Sequence, residues 1–330
     1  MYLRFYNRLE CKEVDWKDID SHEKHVRLSG NGIRSIGDIS HLVEIEHLTL
    51  DGAPITEIDN LHSLTTLRFL YLTYCGITVI KNLDTLVNLE ELSLFCNRIR
   101  RIENLDKLVN LKKLDLMQNR IRRIKNLKAL KNLETLELSW NKIRRIKNLH
   151  RLKNLTVLRL EHNKIRKIEN LDALVKLNRL ELQGNKLRKI ENLGSLVNLK
   201  QLYLDENKIA RLENLDALTG LEVLKINDNR ITRIENLENN VSLKELYLGS
   251  NLIEKLENLE SNKDLRLLDI NDTYIDKIEN IKHLTRLKHL WYFYEMNQEI
   301  GEYPEYSGSD DDEAEIRLTA RLCNFADGYA

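Results

Sequence analysis

Read from Thr49, every twenty-second residue of this chain is one that could meet another molecule. The series runs Thr49, Tyr71, Ser93, Asp115, Glu137, Arg159, Glu181, Tyr203, Lys225, Tyr247, Asp269 and Trp291. Acids and large rings at a fixed period describe a binding surface rather than a reaction centre. Exposed tyrosine and tryptophan supply rigid contact area at modest entropy cost. Phe69, Phe95, Trp140, Phe293 and Tyr294 flank the series and add apolar area. Asp115, Glu137, Glu181 and Asp269 are expected to meet lysines or arginines of a protein partner.

A second series is basic. The phrase N-[KR]-I-R-[RK]-I gives Arg98, Arg100 and Arg101, then Arg120, Arg122 and Arg123, and continues through Lys142, Arg144, Arg145, Lys164, Arg166 and Lys167 to Lys186, Arg188 and Lys189. This stripe could meet an acidic protein segment, tubulin's acidic surface or a nucleic-acid backbone, with Glu103, Glu169 and Glu191 partly neutralising it. An intramolecular target also exists in Asp310, Asp311, Asp312, Glu313 and Glu315.

Other chemistry finds little support. His25 and His47 share one register and could touch a single metal ion, yet no third ligand is evident, so neither metal nor cofactor is expected. Cys11, Cys75, Cys96 and Cys323 show neither disulfide nor metal-ligand spacing. There is no glycine-rich phosphate loop, no nucleophile with a plausible base, and no acid pair set apart from the columns. A non-enzyme is expected.

The elements that must hold these columns follow from the same period. The phrase L-x-x-L-x-L-x-x-N-x-I-x-x-I-x-N-L recurs in twelve copies starting at residues 23, 45, 67 and onward to 265, with a thirteenth opening at Leu287. L-x-x-L-x-L contains the alternation of a short strand with one buried face. Leu114 and Leu116 point into the core, and Lys113, Asp115 and Met117 point away. Each such strand satisfies its backbone only by pairing in parallel with the next repeat. The asparagine after the strand (Asn97, Asn119, Asn141, Asn163) is placed to build a buried amide ladder. Cys75 and Thr273 replace it with other polar groups, and Ala53 before Pro54 predicts an altered turn. A second column, Asn60 to Asn280, reads as an N-cap before one short helical turn. Trp16 is expected to plug the start of the core. Stacked units of this kind, with a period of 22, read as leucine-rich repeats.

Charged residues make up 32% of the chain, split evenly at 52 basic and 52 acidic. That balance gives no reason to expect nucleic acid or an anionic membrane. The charged start of the chain and the absence of long apolar runs predict neither a signal segment nor a membrane span. With unpaired cysteines and no cysteine-clustered caps, an intracellular location, cytoplasmic and/or nuclear, is expected.

Several segments resemble the leucine-rich-repeat regulatory subunit of type-1 protein phosphatase: Ser242–Asn251, Glu257–Asn262, Leu268–Ile270, Lys277–Ile281 and Leu284–Trp291. The resemblance covers about residues 23–292. It implies docking of a phosphatase catalytic subunit on a concave column of acids and rings, here Glu137, Glu181, Tyr203, Tyr247, Asp269 and Trp291. Asp115, Arg159, Lys225 and His289 complete the candidate surface; Arg159, Lys225 and His289 depart from the family's residue types. The expected fold is α/β: a right-handed leucine-rich-repeat horseshoe, with a parallel β-sheet on the concave face and short 3₁₀ or α turns on the convex face. Its divisions are residues 1–22 as N-terminal cap, 23–297 as repeats, and 298–330 as an acidic, atypical cap or tail. The expected function is a monomeric, non-catalytic scaffold for that phosphatase. The alternative is a cytoskeletal or axonemal scaffold whose basic stripe meets tubulin or dynein components.

Overall fold

The computed structural model describes residues 16–30 and 32–292. Phe293, Tyr294, the acidic run 310–315, Cys11, Cys323 and most of the two expected caps lie outside the described residues. A 3₁₀ turn, Trp16–Asp18, comes first among the described residues. Among them thirteen parallel strands follow, paired strictly in chain order. The first three, β1 (His25–Ser29), β2 (His47–Asp51) and β3 (Phe69–Thr73), have five residues each. From β4 (Glu91–Ser93) to β13 (His289–Trp291) each has three. At about 4.8 Å per strand the row is on the order of 58 Å long.

The 22-residue period sets the register. Asp115 pairs with Glu137, Glu137 with Arg159, Arg159 with Glu181, and Tyr247 with Asp269, which pairs with Trp291. The candidate series is therefore one straight row on the face turned away from the core. On the other face the leucines and isoleucines of all repeats merge into one continuous core, beginning at Trp16, which is 8% exposed. Gly37 gives that indole its seat, because a Cβ there would stand 2.3 Å from the ring.

The buried amide ladder is present. Asn141 Nδ2 donates to the carbonyls of Leu116, Leu138 and Ser139 at 2.9–3.1 Å, and its Oδ1 accepts from the Ile121 N–H at 2.8 Å. One side chain thus stitches two repeats and satisfies turn groups that would otherwise be buried unpaired. Ala53 offers no such acceptor to the repeat before it, where the Ile33 N–H instead meets the Gly30 carbonyl at 3.5 Å, an altered turn of the expected kind. Cys75 in the next ladder position likewise leaves the Ile55 N–H to turn back to the Ala53 carbonyl at 2.7 Å.

The second asparagine column works differently from the N-cap expectation. Asn104 sits in the left-handed region at φ 58° and donates its Nδ2 to the Ile80 carbonyl of the preceding repeat at 2.6 Å. Its amide is spent stitching repeats, so it does not cap a helix. The convex segment that follows is two successive turns, closed by Leu108 N–H to Leu105 O and Leu111 N–H to Leu108 O, both 3.1 Å. Among the described residues the repeats contain no helix. The parallel solenoid stands as expected, and its helical component reduces to turns.

Candidate functional site

Three stretches of the face turned away from the core differ in what their side chains touch. At the N-terminal end rings stack. His25 and His47 have centroids 4.3 Å apart, and His47 lies on Phe69 at 4.1 Å. The two histidines face each other as rings rather than converging on a point. Among the described residues no three histidines, cysteines or acids are grouped so as to hold a metal ion.

The middle stretch is an ion network. Asp115 accepts from the Ser93 hydroxyl at 2.7 Å and from the Met117 N–H at 2.9 Å. Glu137 accepts from the Ser139 N–H at 2.8 Å, with the Arg159 guanidinium 3.7 Å away. Glu181, only 4% exposed, takes the Arg159 Nε–H at 2.9 Å and a close contact from Arg179. Beside it Glu161 receives the Ser139 hydroxyl and, at 3.2 Å, the Gln183 amide. Burial raises the Glu161 carboxyl, and its hydrogen bond to Glu181 raises it further. Burial acts upward on Glu181 too, but hydrogen bonds from Glu161, Arg159 and Arg179 outweigh it and hold Glu181 low. Glu137 is raised, by burial above all. Glu181 and Glu137, expected to meet a partner's cations, thus already lie beside cations of this chain. Strands stacked this closely let the neighbouring repeats supply those cations internally.

The C-terminal stretch is built from rings and one amine. The Arg179 guanidinium lies 4.8 Å from the Tyr203 ring centre. Lys225 Nζ sits between two rings, 5.6 Å from Tyr203 and 4.2 Å from Tyr247. Tyr247 meets Trp291 edge to face at 5.9 Å. Trp291 is 37% exposed, whereas Tyr247 is down to 9% and Asp269 to 7%. Asp269 spends one oxygen on the Asn271 N–H at 3.0 Å, and burial raises its carboxyl. His289 stands one row over, paired with Leu267, and is exposed. Asp205 in a third row is pushed up to about 6, mainly by burial.

All ten candidate residues thus share one face, nine in one row. Of these, His289 and Trp291 are exposed, Asp115, Arg159, Tyr203 and Lys225 are half-buried, and Glu137, Glu181, Tyr247 and Asp269 are buried. Sequence reasoning missed Glu161, Arg179 and Gln183, which a comparison of the rows on either side of the central one would have found. The basic stripe forms an exposed edge. Lys167 pairs with Glu191 at 3.5 Å, and further along Arg211 pairs with Glu235 and Arg233 with Glu257, both at 3.1 Å. Among the described residues no helix is long and apolar enough to cross a membrane.

A leucine-rich-repeat profile matches residues 172–270. A profile of paired leucine-rich repeats matches residues 65–108 and 131–173. The chain belongs to the leucine-rich-repeat family. Among curated proteins none matches the sequence. Solved structures share the fold. A leucine-rich-repeat protein of Leptospira interrogans is 26% identical, with 84% of this chain and 74% of that one covered at a TM-score of 0.79. An internalin, InlF, of Listeria monocytogenes is 24% identical, covering 82% of this chain and 87% of its own at 0.69. YopM of Yersinia enterocolitica is 21% identical, over 84% of this chain and 61% of its own, at 0.68. Leucine-rich repeats are scaffolds suited to protein–protein contact, and the row just described is the concave face on which this one offers its side chains.

Proposed function

We propose that this leucine-rich-repeat protein is a non-catalytic scaffold that docks a type-1-like serine/threonine phosphatase catalytic subunit on the C-terminal part of its concave face. The observation that carries the docking reading is the Tyr203–Lys225–Tyr247–Trp291 run, in which a preset set of rings brackets one amine. Rings held by their neighbours lose little freedom on binding, which favours them as anchors. The choice of partner is supported by the resemblance of residues 242–291 to the phosphatase regulatory subunit, and it carries with it an intracellular location. The effect would be stoichiometric, with the occupied phosphatase surface changing access for substrates and other partners.

Calorimetric titration of purified catalytic subunit into the full chain tests both parts. Binding is expected, and Trp291→Ala combined with Tyr203→Ala is expected to weaken it by at least about 2 kcal/mol. Absence of binding removes the phosphatase. Binding unchanged in the double variant, with an unaltered thermal melt, removes this row as the docking surface.

A further inference from the structure

The even charge balance of the whole chain conceals a local excess. Residues 120–153 hold twelve lysines and arginines against two glutamates, Glu134 and Glu137. Glu137 is buried in the concave network already described. The cause is a change at one repeat position, the residue just before the second asparagine. It is glutamate in every repeat from Glu169 to Glu279 and lysine at Lys81, which meets Glu57 at 2.7 Å, but two further lysines, Lys125 and Lys147, have no ion pair among the described residues. Where glutamate stands, it can neutralise an arginine of the repeat before, as Glu235 does for Arg211 and Glu257 for Arg233. At the two lysines that pairing is inverted. Arg122, Arg123, Lys125, Arg144, Arg145 and Lys147 line a groove of about 710 Å³. All six are exposed, and among the described residues none forms an ion pair. A second basic groove of about 600 Å³ continues from it through Arg144, Arg145 and Lys164.

An aromatic platform stands two residues before Lys142, which is one of the residues lining this groove. Trp140 is 52% exposed, and its ring lies 4.0 Å from that of His162, tilted by 31°. His162 in turn lies over Gly184, where a Cβ would come within 2.3 Å of its Nδ1. The row thus steps from a missing side chain to an imidazole to an indole. The fold requires a left-handed residue at this position of each repeat, and Gly52 and Gly184 meet that need at no steric cost. Trp140 accepts φ 56° with a bulky side chain held in solvent. A bulky residue in that region is strained, and such strain persists where the surroundings hold it in place. Lys142, Arg144 and Arg145 follow within five residues.

We infer that residues 120–167 form a binding site for single-stranded nucleic acid, the backbone phosphates lying along the unpaired guanidinium and ammonium groups and a base stacking on Trp140. Cationic tracks beside exposed rings bind single strands without sequence preference, because each base has a face to stack. An acidic peptide would satisfy the cations but gives no account of the indole, so it is the competing outcome. This surface lies outside the central concave row, and the inference is independent of the phosphatase reading.

Fluorescence anisotropy of the full chain with labelled oligo(dT) and oligo(rU) of about 20 nucleotides tests it, with poly-glutamate as a parallel probe. Affinity for one or both oligonucleotides should fall roughly fifty-fold between about 50 and 200 mM salt if four phosphates are contacted. Tighter binding of oligo(rU) would assign RNA, and tighter binding of oligo(dT) would assign DNA. Trp140→Ala should weaken oligonucleotide binding about tenfold, Trp140→Tyr should retain most of it, and neither should change poly-glutamate binding. Arg144→Glu with Arg145→Glu should abolish it without lowering the thermal midpoint. No oligonucleotide binding at low salt overturns the inference. So does equal or tighter binding of poly-glutamate, or indifference to Trp140→Ala.

Discussion

The middle and the C-terminal end of the concave row use the same backbone and the same register for opposite ends. Around Arg159 both Glu137 and Glu181 meet a guanidinium from one repeat away, so the strip Glu137–Arg159–Glu181 is closed on itself. Around Lys225 there is one amine between two rings and a partly exposed indole beyond. The first arrangement spends its chemistry on holding strands together. The second leaves Trp291 partly exposed and Lys225 in no ion pair among the described residues. A row of side chains at 22-residue intervals is therefore not one surface, and counting its acids does not say how many are available.

The comparison breaks most readily at its two cations. Arg159→Ala should lower unfolding stability by about 2 kcal/mol, because it leaves Glu137 without its cation and Glu181 with Arg179 alone. That figure sits below the usual cost of splitting a buried pair because Arg159 is itself a third exposed. Lys225→Ala should cost only about 0.5–1 kcal/mol, the worth of cation–π contacts near solvent, while weakening partner binding. Urea unfolding of both variants decides the matter. Equal losses would mean that the two stretches are equally structural.

How much of this was legible in the sequence depends on the range of the interaction. The strands, their register and the buried amide ladder follow from one phrase repeated in phase, because each is fixed by residues within one repeat and its copy; the Trp16 plug was legible as a large ring just ahead of the first copy. The altered turn at Ala53 was legible too, since a methyl group cannot replace an amide. The second asparagine column misled because Asn-Leu-x-x-Leu is also how a helix begins. What decides it is a carbonyl 24 residues back, as Ile80 is for Asn104. The pairing of Glu181 with Arg159 needed two adjacent repeats set side by side, and that with Arg179, two residues away in the same strand, needed the rows off the central one included. The basic stripe was legible as a repeated phrase, but its excess at residues 120–153 was not, because Lys125 and Lys147 lie outside that phrase and the neutral total says nothing about where charges stand.

The finest distinction between the two stretches is their response to pH. In the middle, burial raises Glu137 and Glu161 above the ordinary carboxylate range. Each then keeps its proton in the folded chain at a pH where the unfolded chain has released it. Folding binds protons in that window, so these two groups make the chain less stable as pH rises from the ordinary glutamate value through their own. Glu181 acts oppositely: held low, it contributes stability above the ordinary value that is lost as pH falls through its folded one. Asp205 adds a falling contribution confined between its ordinary 3.8 and about 6. Glu161→Gln keeps an acceptor for Ser139 and a donor toward Glu181 while removing one titration. Thermal midpoints followed from pH 5 to 8 should therefore decline less in Glu161→Gln than in the parent chain. A slope as steep in the variant would show that Glu161 carries no bound proton in the folded chain, and that the middle stretch is held by its arginines alone.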